Sequence, residues 1–447
     1  MRLSVVIPVL DEEARIVAAL DALAPLRAAD HEVIVVDGGS RDRTLEHART
    51  RADRALVAPR GRSVQMNVGA CAARGDALLF LHADTRLPVD AADAVARALS
   101  GRSRWGRFDV TIDGRTSLLP IVAGAMNLRS RATGIATGDQ AIFVARDLFD
   151  QVGGYPPIPL MEDIALSTLL RRHGWRPACL PTRVTTSGRR WDERGAWRTV
   201  ATMWRLRYDY WRGADPRVLA PRYGYATPTR PPTLLVFAKA PVIGRVKTRL
   251  AAALGDEGAA TLYRELAERT LKTARAARSA GIFDAVELWC DHSGHGHPAM
   301  LDWSRRYGVA LREQHGDDLG ARMQQAMSSV LKGGRAAVLI GTDSPALDVG
   351  YLAHAASALQ RHDAVVGPAE DGGYVLVGLA RELDIFGGVA WSTDAVMVAT
   401  RAHIAAAQAS WAELPMLWDV DRPADVDRYR RTLVRGPEAA ASRACAA

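Results

Sequence analysis

The residues of this chain best suited to chemistry are carboxylates that fall just after short apolar runs. Asp11 and Glu12 follow the opening run in PVLDEE, and Asp37 precedes two glycines and Ser40 in DGGSRD. His82 and Asp84 follow a third run in LHADTRLP, and Glu162 and Asp163 open the amphipathic stretch MEDIALSTLLRRHG. A carboxylate in such a loop can accept hydrogen bonds from a nucleobase or a ribose. A hard oxygen ligand such as Asp84 can hold a divalent cation, and that cation can stabilise charge on a departing diphosphate. A further carboxylate can take the proton of an acceptor hydroxyl. Each acid also has a simpler use, because Asp11, Ser40 and Asp163 stand where helix caps stand. A sugar nucleotide accounts for four acidic loops on one edge of one sheet better than four separate caps do.

The second half carries a different set. An apolar run leads straight into AKAPVIGRVKTRLAAALG, with Lys239, Arg245, Lys247 and Arg249. A glycine-containing cationic loop that runs from a strand into a helix suits phosphate, although the spacing GxxxxGK[ST] of a P-loop is absent. The plain alternative is a helix start with solvated charges. Asp343 ends the run in VLIGTDSPAL, Asp371 precedes two glycines in EDGGYVLVGL, and Asp419 and Asp421 lie in LWDVDRPADV. Together they make a metal and nucleotide constellation. His292, His295 and His297 read as a solvated loop rather than a metal site.

These groups need a scaffold. Apolar runs at 3–7, 33–36, 55–57 and 77–81, with helical stretches at 12–26 and 41–52 between them, predict buried strands alternating with helices. Runs at 233–237, 285–289, 309–311, 336–340 and 364–366 repeat the pattern. Continuous apolar strands separated by helices imply a mostly parallel sheet covered on both faces. Ligands of such sheets bind beyond the carboxyl ends of the strands, where the acids fall. Residues 226–232, ATPTRPP, hold three prolines in seven positions and predict a linker. The expected organisation is therefore two α/β domains, 1–225 and 233–432, with a disordered tail at 433–447.

Composition agrees with that plan. The 447 residues are 48% hydrophobic and 24% charged, with 58 Lys and Arg against 50 Asp and Glu, as in ordinary globular proteins. Lysine occurs only at 239, 247, 272 and 332. Without basic blocks and with 6% aromatic residues, nothing points to nucleic acid. The cysteines at 71, 179, 290 and 445 have no metal-ligand spacing and read as reduced, mostly buried thiols. The opening residues do not read as a signal peptide. Residues 117–128 are too short an apolar run to span a membrane and predict a buried helix. Between 189 and 225, arginines alternate with Trp and Tyr. This pattern suits either a core-docking aromatic face or a lid or membrane-surface helix. The expected location is cytoplasmic, with peripheral contact at the inner membrane face through 195–215.

Over residues 1–225, the strings SVVIPVLDEE, VVDGGSRD, GRSVQMNVGA, FLHADTRLP, GDQAIFVARDLFDQVGGYP and MEDIALSTLLRRHG follow one another in an order that resembles family 2 glycosyltransferases of the GT-A fold. The nearest resemblance is to the subgroup associated with arsenosugar biosynthesis. The resemblance implies donor contacts from Pro8, Glu12, Asp37 and Arg62, a metal-binding acid at Asp84, and Asp163 as catalytic base of an inverting displacement, with Glu162 as the alternative base. It also implies that Gly138, Asp139 and Gln140 line the acceptor side, with Arg189, Arg190 and Trp191 beyond them. The chain departs from the family pattern at Gly38, where relatives carry a second acid. It departs again at His82, which replaces the first acid of Asp-x-Asp and is either a structural hydrogen-bonding residue or a second metal ligand.

Over residues 233–432, FAKAPVIGRVKTRL, DLGARMQQAM, GTDSPAL, AEDGGYVLVGL, WSTDAV and DVDRPADV resemble a family of uncharacterised transferases found beside or fused to that subgroup. More distantly they resemble phospholactate guanylyltransferases and molybdenum-cofactor nucleotidyltransferases. This implies phosphate contacts from Lys247 and Arg249, metal ligands at Asp343 and Asp421, and a substrate pocket lined by Asp371, Gly372, Gly373 and Tyr374. The fold expected throughout is two tandem GT-A-like, Rossmann-like α/β domains. The activity expected is a nucleotide-sugar transferase, dependent on Mn²⁺ or Mg²⁺ and acting on a small or lipid-like acceptor, joined to a nucleotidyltransferase-like domain that supplies the activated sugar. Two sequential glycosyltransferases, or a non-catalytic nucleotide-binding protein, are the alternatives.

Overall fold

The computed structural model describes residues 1–226 and 229–434, except for the side chains of a few helical residues, Arg190 among them. It forms two compact units, Met1–Thr229, with which Ser279–Gly281 group, and the chain from Arg230 onwards.

The first unit has eight strands: β1 Leu3–Val9, β2 Glu32–Asp37, β3 Arg54–Val57, β4 Ala77–Phe80, β5 Thr85–Arg86, β6 Trp105–Asp113, β7 Phe143–Ala145 and β8 Ala178–Ser187. They lie in the order β3-β2-β1-β4-β7-β6-β8-β5. β1, β2, β3 and β4 pair in parallel, with Val6 opposite Ile34 and Phe80. β7 runs antiparallel to both β4 and β6, whereas β6 and β8 are parallel. Leu3, Val5, Val6 and Ile7 are all buried, so β1 is covered on both faces. That double burial makes its sequence a continuous apolar run rather than an alternating one.

Helix Arg62–Ala72 lies close across the sheet because of a glycine. A Cβ at Gly69 would sit 2.3 Å from Val6 Cγ1 and 3.1 Å from Val36 Cγ2. Any side chain there would push the helix off β1 and β2, so Gly69 sets their spacing.

Among its described residues the second unit has seven strands: β9 Thr233–Phe237, β10 Ala285–Cys290, β11 Ala310–Glu313, β12 Ala337–Ile340, β13 Ala364–Pro368, β14 Tyr374–Leu379 and β15 Trp411–Glu413. Their order is β11-β10-β9-β12-β14-β13-β15. Only β14 runs against the others. Strand for strand this is the order and sense of β3-β2-β1-β4-β7-β6-β8. The mostly parallel α/β plan expected from the sequence is therefore present twice.

Some local expectations change. The apolar stretch expected as a buried helix is Leu119–Thr133, which buries Leu119, Ala123, Asn127 and Ser130 but exposes Ile121 and Leu128. The stretch read as either a core-docking aromatic face or a lid or membrane-surface helix forms helices Arg189–Arg194 and Ala196–Trp211. The longer one buries Leu206 and leaves Trp197, Trp204, Tyr208 and Trp211 exposed. His292–His295 is a short helix rather than a loop, and His297 caps the next helix by accepting from the Ala299 amide at 3.2 Å. Helix Pro423–Val434 extends past the expected start of the tail; the rest of that tail, Thr227, Pro228 and Cys445 lie outside the described residues. Cys71 is exposed rather than buried, Cys179 half-buried and Cys290 buried. Among the described residues, no helix is long and apolar enough to cross a membrane.

Candidate active site

In the first unit the loops after β1 and β2 are laced together at the carboxyl edge. The Asp11 amide donates to Ser40 Oγ at 2.9 Å, the Glu12 amide to Thr44 Oγ1 at 2.8 Å, and the Arg41 amide to Asp11 Oδ1 at 2.8 Å. Asp37 is 2% exposed. Its Oδ2 accepts from the amides of Gly39 and Ser40, both at 2.9 Å, and its Oδ1 from the Ser40 hydroxyl. Its carboxylate thus shapes the turn. Glu12 is paired with Arg15 at 2.7 Å, and Pro8 lies in β1, half-buried.

Helix Arg62–Ala72 carries a residue the sequence reading passed over. The buried Gln65 amide donates from Nε2 to the carbonyls of Val9 and Val36, both at 2.8 Å, and so pins the ends of β1 and β2. The same helix reaches the segment before Asp163. Ser63 Oγ donates to the Ile158 carbonyl at 2.9 Å, and Asn67 exchanges hydrogen bonds with the Tyr155 backbone at 2.8 and 2.9 Å. The signal for these roles was the string GRSVQMN itself, whose polar residues fall on a helix that must be buried.

Arg62 begins that helix and is exposed as a residue, yet its guanidinium lies 5.7 Å from the centre of the Tyr225 ring. Desolvation opposes its charge, but Tyr225, Glu162 and Asp139 together raise its pKa above the ordinary value. Glu162 and Asp163 open helix Glu162–Arg172, after Met161 in the left-handed region at φ 69°. Asp163 Oδ2 accepts from the Gly138 amide at 3.0 Å and Oδ1 from the Ile164 amide at 2.7 Å. Glu162 is 7% exposed. Burial, and then the charge of Asp163, push its pKa up to about 7, against the pull of Arg62.

Because β7 is antiparallel to β4, the turn entering β7 stands at the carboxyl end of β4. That turn is Gly138–Gln140, and His82 Nδ1 lies 3.4 Å from Asp139 Oδ1. A Cβ at Gly138 would lie 2.6 Å from two His82 ring atoms, so glycine is needed for the histidine to fit. His82, offered by the sequence as a second metal ligand, is thus engaged by the turn. The Asp84 carboxylate, by contrast, has no protein partner among the described residues. Gln140, expected to face an acceptor, is fully buried. It braces the turn from behind through Asn127 and Ser130 at 3.3 and 3.2 Å. Trp191 packs on the core, and Arg189 lies 3.8 Å from Glu193; the Arg190 side chain lies outside the described residues.

In the second unit Lys247, itself left-handed at φ 49°, is the junction. Its side chain is 6% exposed, with Nζ 2.9 Å from Asp343 and 2.7 Å from Asp421. The lysine expected as a free phosphate cation is thus held by the two acids expected as metal ligands. Arg249 is exposed and lies 3.4 Å from Asp421. The acids that converge with room for a cation are Asp371, Asp419 and Asp421, whose ligand oxygens lie within 4.8 Å of one another. Burial, and then the charges of Asp371 and Asp421, raise Asp419 to about 6. Asp371 Oδ1 accepts from the Gly373 amide at 2.9 Å, and Gly372 has φ 87°. Tyr374 turns its hydroxyl to Met323 Sδ at 3.8 Å, away from the acids, and burial raises its pKa.

Acids at the carboxyl edge of a mostly parallel sheet stand where such sheets bind their ligands. Residues 4–116 match the family model described as glycosyl transferase family 2, and residues 273–393 the one described as uncharacterized protein conserved in bacteria (DUF2064). Over residues 4–116 the first unit is thus similar to glycosyltransferase family 2. The PGL/p-HBAD biosynthesis glycosyltransferase of Mycobacterium bovis is 33% identical over 161 residues, 34% of this chain and 62% of that protein. The chain therefore spans about 62% of the curated relatives it matches. Among solved structures, a Desulfovibrio desulfuricans G20 protein assigned as a nucleotide-diphospho-sugar transferase is 30% identical with a TM-score of 0.41, covering 46% of this chain and 88% of its own. A Pyrobaculum calidifontis mannosyltransferase in complex with GDP-Man and Mn²⁺ is 23% identical with a TM-score of 0.36, covering 51% and 66%.

Proposed function

We propose that the first unit transfers a sugar from a nucleotide-diphospho-sugar to an acceptor hydroxyl with inversion at the anomeric carbon. The observation that carries this reading is the Asp163 carboxylate, held by the Gly138 amide at 3.0 Å at a helix start, beside the unionised-leaning Glu162. Asp163 takes the acceptor proton, and the acceptor oxygen bonds to the anomeric carbon. The bond from that carbon to the diphosphate breaks, and the nucleoside diphosphate leaves with the electron pair. Arg62 offers positive charge to it, and the loops of Pro8, Glu12 and Asp37 seat the nucleoside. The unpartnered Asp84 carboxylate is a hard oxygen donor that would hold Mn²⁺ or Mg²⁺, and such a cation would supply charge against the diphosphate.

The second unit acts as a nucleotidyltransferase that makes the activated sugar from a sugar phosphate and a nucleoside triphosphate. Asp371, Asp419 and Asp421 would hold its cation, and Arg249 would reach phosphate. The protein works in the cytoplasm, with helix Ala196–Trp211 touching the inner membrane face. A panel of nucleoside triphosphates and sugar phosphates, with the full chain, tests the division of labour. Pyrophosphate release that survives Asp163→Asn, with loss of transfer and unchanged donor binding by calorimetry, is the expected result. Nucleoside diphosphate release without any pyrophosphate would mean two sequential glycosyltransferases. Loss of donor affinity equal to the loss of transfer in Asp163→Asn would give Asp163 a structural role.

A further inference from the structure

The first unit contains a cavity of ≈ 1130 Å³, above the roughly 300–1,000 Å³ of ordinary small-molecule clefts. Three helices wall it. Leu119–Thr133 presents Val122, Met126 and Arg129 on one face, while its opposite face enters the core. Ala196–Trp211 presents Trp197, Trp204 and Arg207. Glu162–Arg172 presents Ile164 and Thr168. The cavity reaches Thr137 and Ile164, the sequence neighbours of Gly138 and Asp163. The apolar cavity thus reaches residues adjacent in sequence to the proposed catalytic base.

Three arginines lie in its wall, Arg129, Arg172 and Arg207, and the first and last of them bear on its ligand. Arg129 Nε and Nη2 are buried and have no hydrogen-bond partner. Those two atoms form the edge of a guanidinium that grips two oxygens of one anion side by side. Arg207 makes no hydrogen bond or ion pair among the described residues. Burial, and then repulsion from Arg207, lower the Arg129 pKa to about 10, and burial lowers that of Arg207, while Asp163 pulls both upward. Two unpaired cations that repel each other in an apolar wall are costly unless an anion joins them. A phosphate monoester can carry two negative charges and offers enough oxygens to span both; a carboxylate offers one charge and two oxygens.

Resting on the glycosyltransferase reading, we propose that this cavity is the acceptor site and that it takes a single-chain amphiphile. Its apolar chain lies between helices Leu119–Thr133 and Ala196–Trp211, its phosphate is held by Arg129 and Arg207, and a hydroxyl of the same head group reaches Asp163 as the nucleophile. The exposed Trp197, Trp204 and Trp211 line the same cavity and suit a chain drawn from a lipid phase.

The probe is dodecyl phosphate, kept below its micelle concentration, titrated into the full chain and followed by tryptophan fluorescence and calorimetry. Dodecanol, inorganic phosphate and phosphatidylglycerol vesicles are the comparisons. Charged hydrogen bonds of about 1.5–3 kcal/mol predict dodecyl phosphate binding roughly ten- to a hundred-fold tighter than dodecanol. Arg129→Gln with Arg207→Gln should erase that preference but keep dodecanol binding, which also reports that the cavity is folded. Val122→Glu should weaken both. Equal affinity for dodecanol and dodecyl phosphate, a preference that survives the double substitution, or binding to the vesicles alone would overturn the proposal. Nucleotide-sugar binding, measured on the same preparations, separates this outcome from failure of the glycosyltransferase reading.

Discussion

Replacing Glu162 by glutamine should stabilise the first unit at high pH and do little at low pH. Glu162 is 7% exposed, and burial beside Asp163 pushes its pKa from the ordinary 4.5 to about 7. The raised group is an acid, so the unfolded chain releases its proton near 4.5 while the folded protein keeps it until about 7. Over that interval the unfolded state binds fewer protons, and stability falls as pH rises; above it the loss is complete. At about 1.4 kcal/mol per pH unit, the interval corresponds to roughly 3 kcal/mol, an upper figure because Glu162 and Asp163 titrate together. Glutamine mimics the protonated acid. The variant should therefore match the parent at pH 4 and exceed it at pH 8 by up to that amount. Calorimetric unfolding at a series of pH values reads this directly, as a Tm difference that opens between pH 5 and 7. A variant that loses stability at pH 8 and not at pH 4 would refute the reasoning. It would show that Arg62 holds Glu162 ionised and that the pair is a net stabilising one.

Two further substitutions probe the supports of the two sites. Gly138→Ala puts a methyl group 2.6 Å from the His82 ring. It should cost roughly 1–3 kcal/mol by overpacking and lower transfer by displacing the amide that holds Asp163; adding His82→Ala should restore much of the Tm. Lys247→Ala leaves Asp343 and Asp421 facing each other without their shared cation. Its cost should fall below the roughly 3–5 kcal/mol of a fully buried pair because both acids are partly exposed. Added Mn²⁺ or Mg²⁺ should recover part of the lost Tm by binding the folded state; no recovery would speak against a cation at the acidic cluster.

The parallel half of each sheet was legible because β1, β2, β4, β9 and β12 are covered on both faces and therefore read as unbroken apolar runs. The antiparallel half was less so: the run at 364–366 is β13, but β6, β7, β8, β14 and β15 were not placed. β6 buries Arg107 fully, paired with Asp109 inside the strand, so its core positions look polar in the sequence. β7 has three residues and β15 three, too few for any period to register. At the site, the acids could be placed at strand ends, but not their engagements. Nothing local says that Asp37 closes its own turn, that His82 faces Asp139, or that Gln140 is buried behind the residues it was grouped with. The run at 117–128 looked apolar all round because one side meets the core and the other lines a cavity. Its meaning depended on a second helix some 70 residues away in sequence.

The doubled topology makes the differences between the units informative, since equivalent strands deliver different charges to the same place. After β1 the chain offers Asp11 and Glu12, which are consumed in binding the neighbouring loop and Arg15. After β9, the strand in the same position, it offers Arg245, Lys247 and Arg249. After β4 and β12 both units offer an acid, Asp84 and Asp343, but only Asp343 meets a lysine. A loop that presents hydrogen-bonding backbone beside one arginine suits a diphosphate already capped by a sugar, with few charges to neutralise. A loop with two exposed arginines, beside a lysine already held by acids and an acidic cluster, suits a ligand carrying more phosphate and a cation of its own. That contrast in charge, set on one common sheet, is what supports giving the two units different reactions rather than reading the second as a copy of the first.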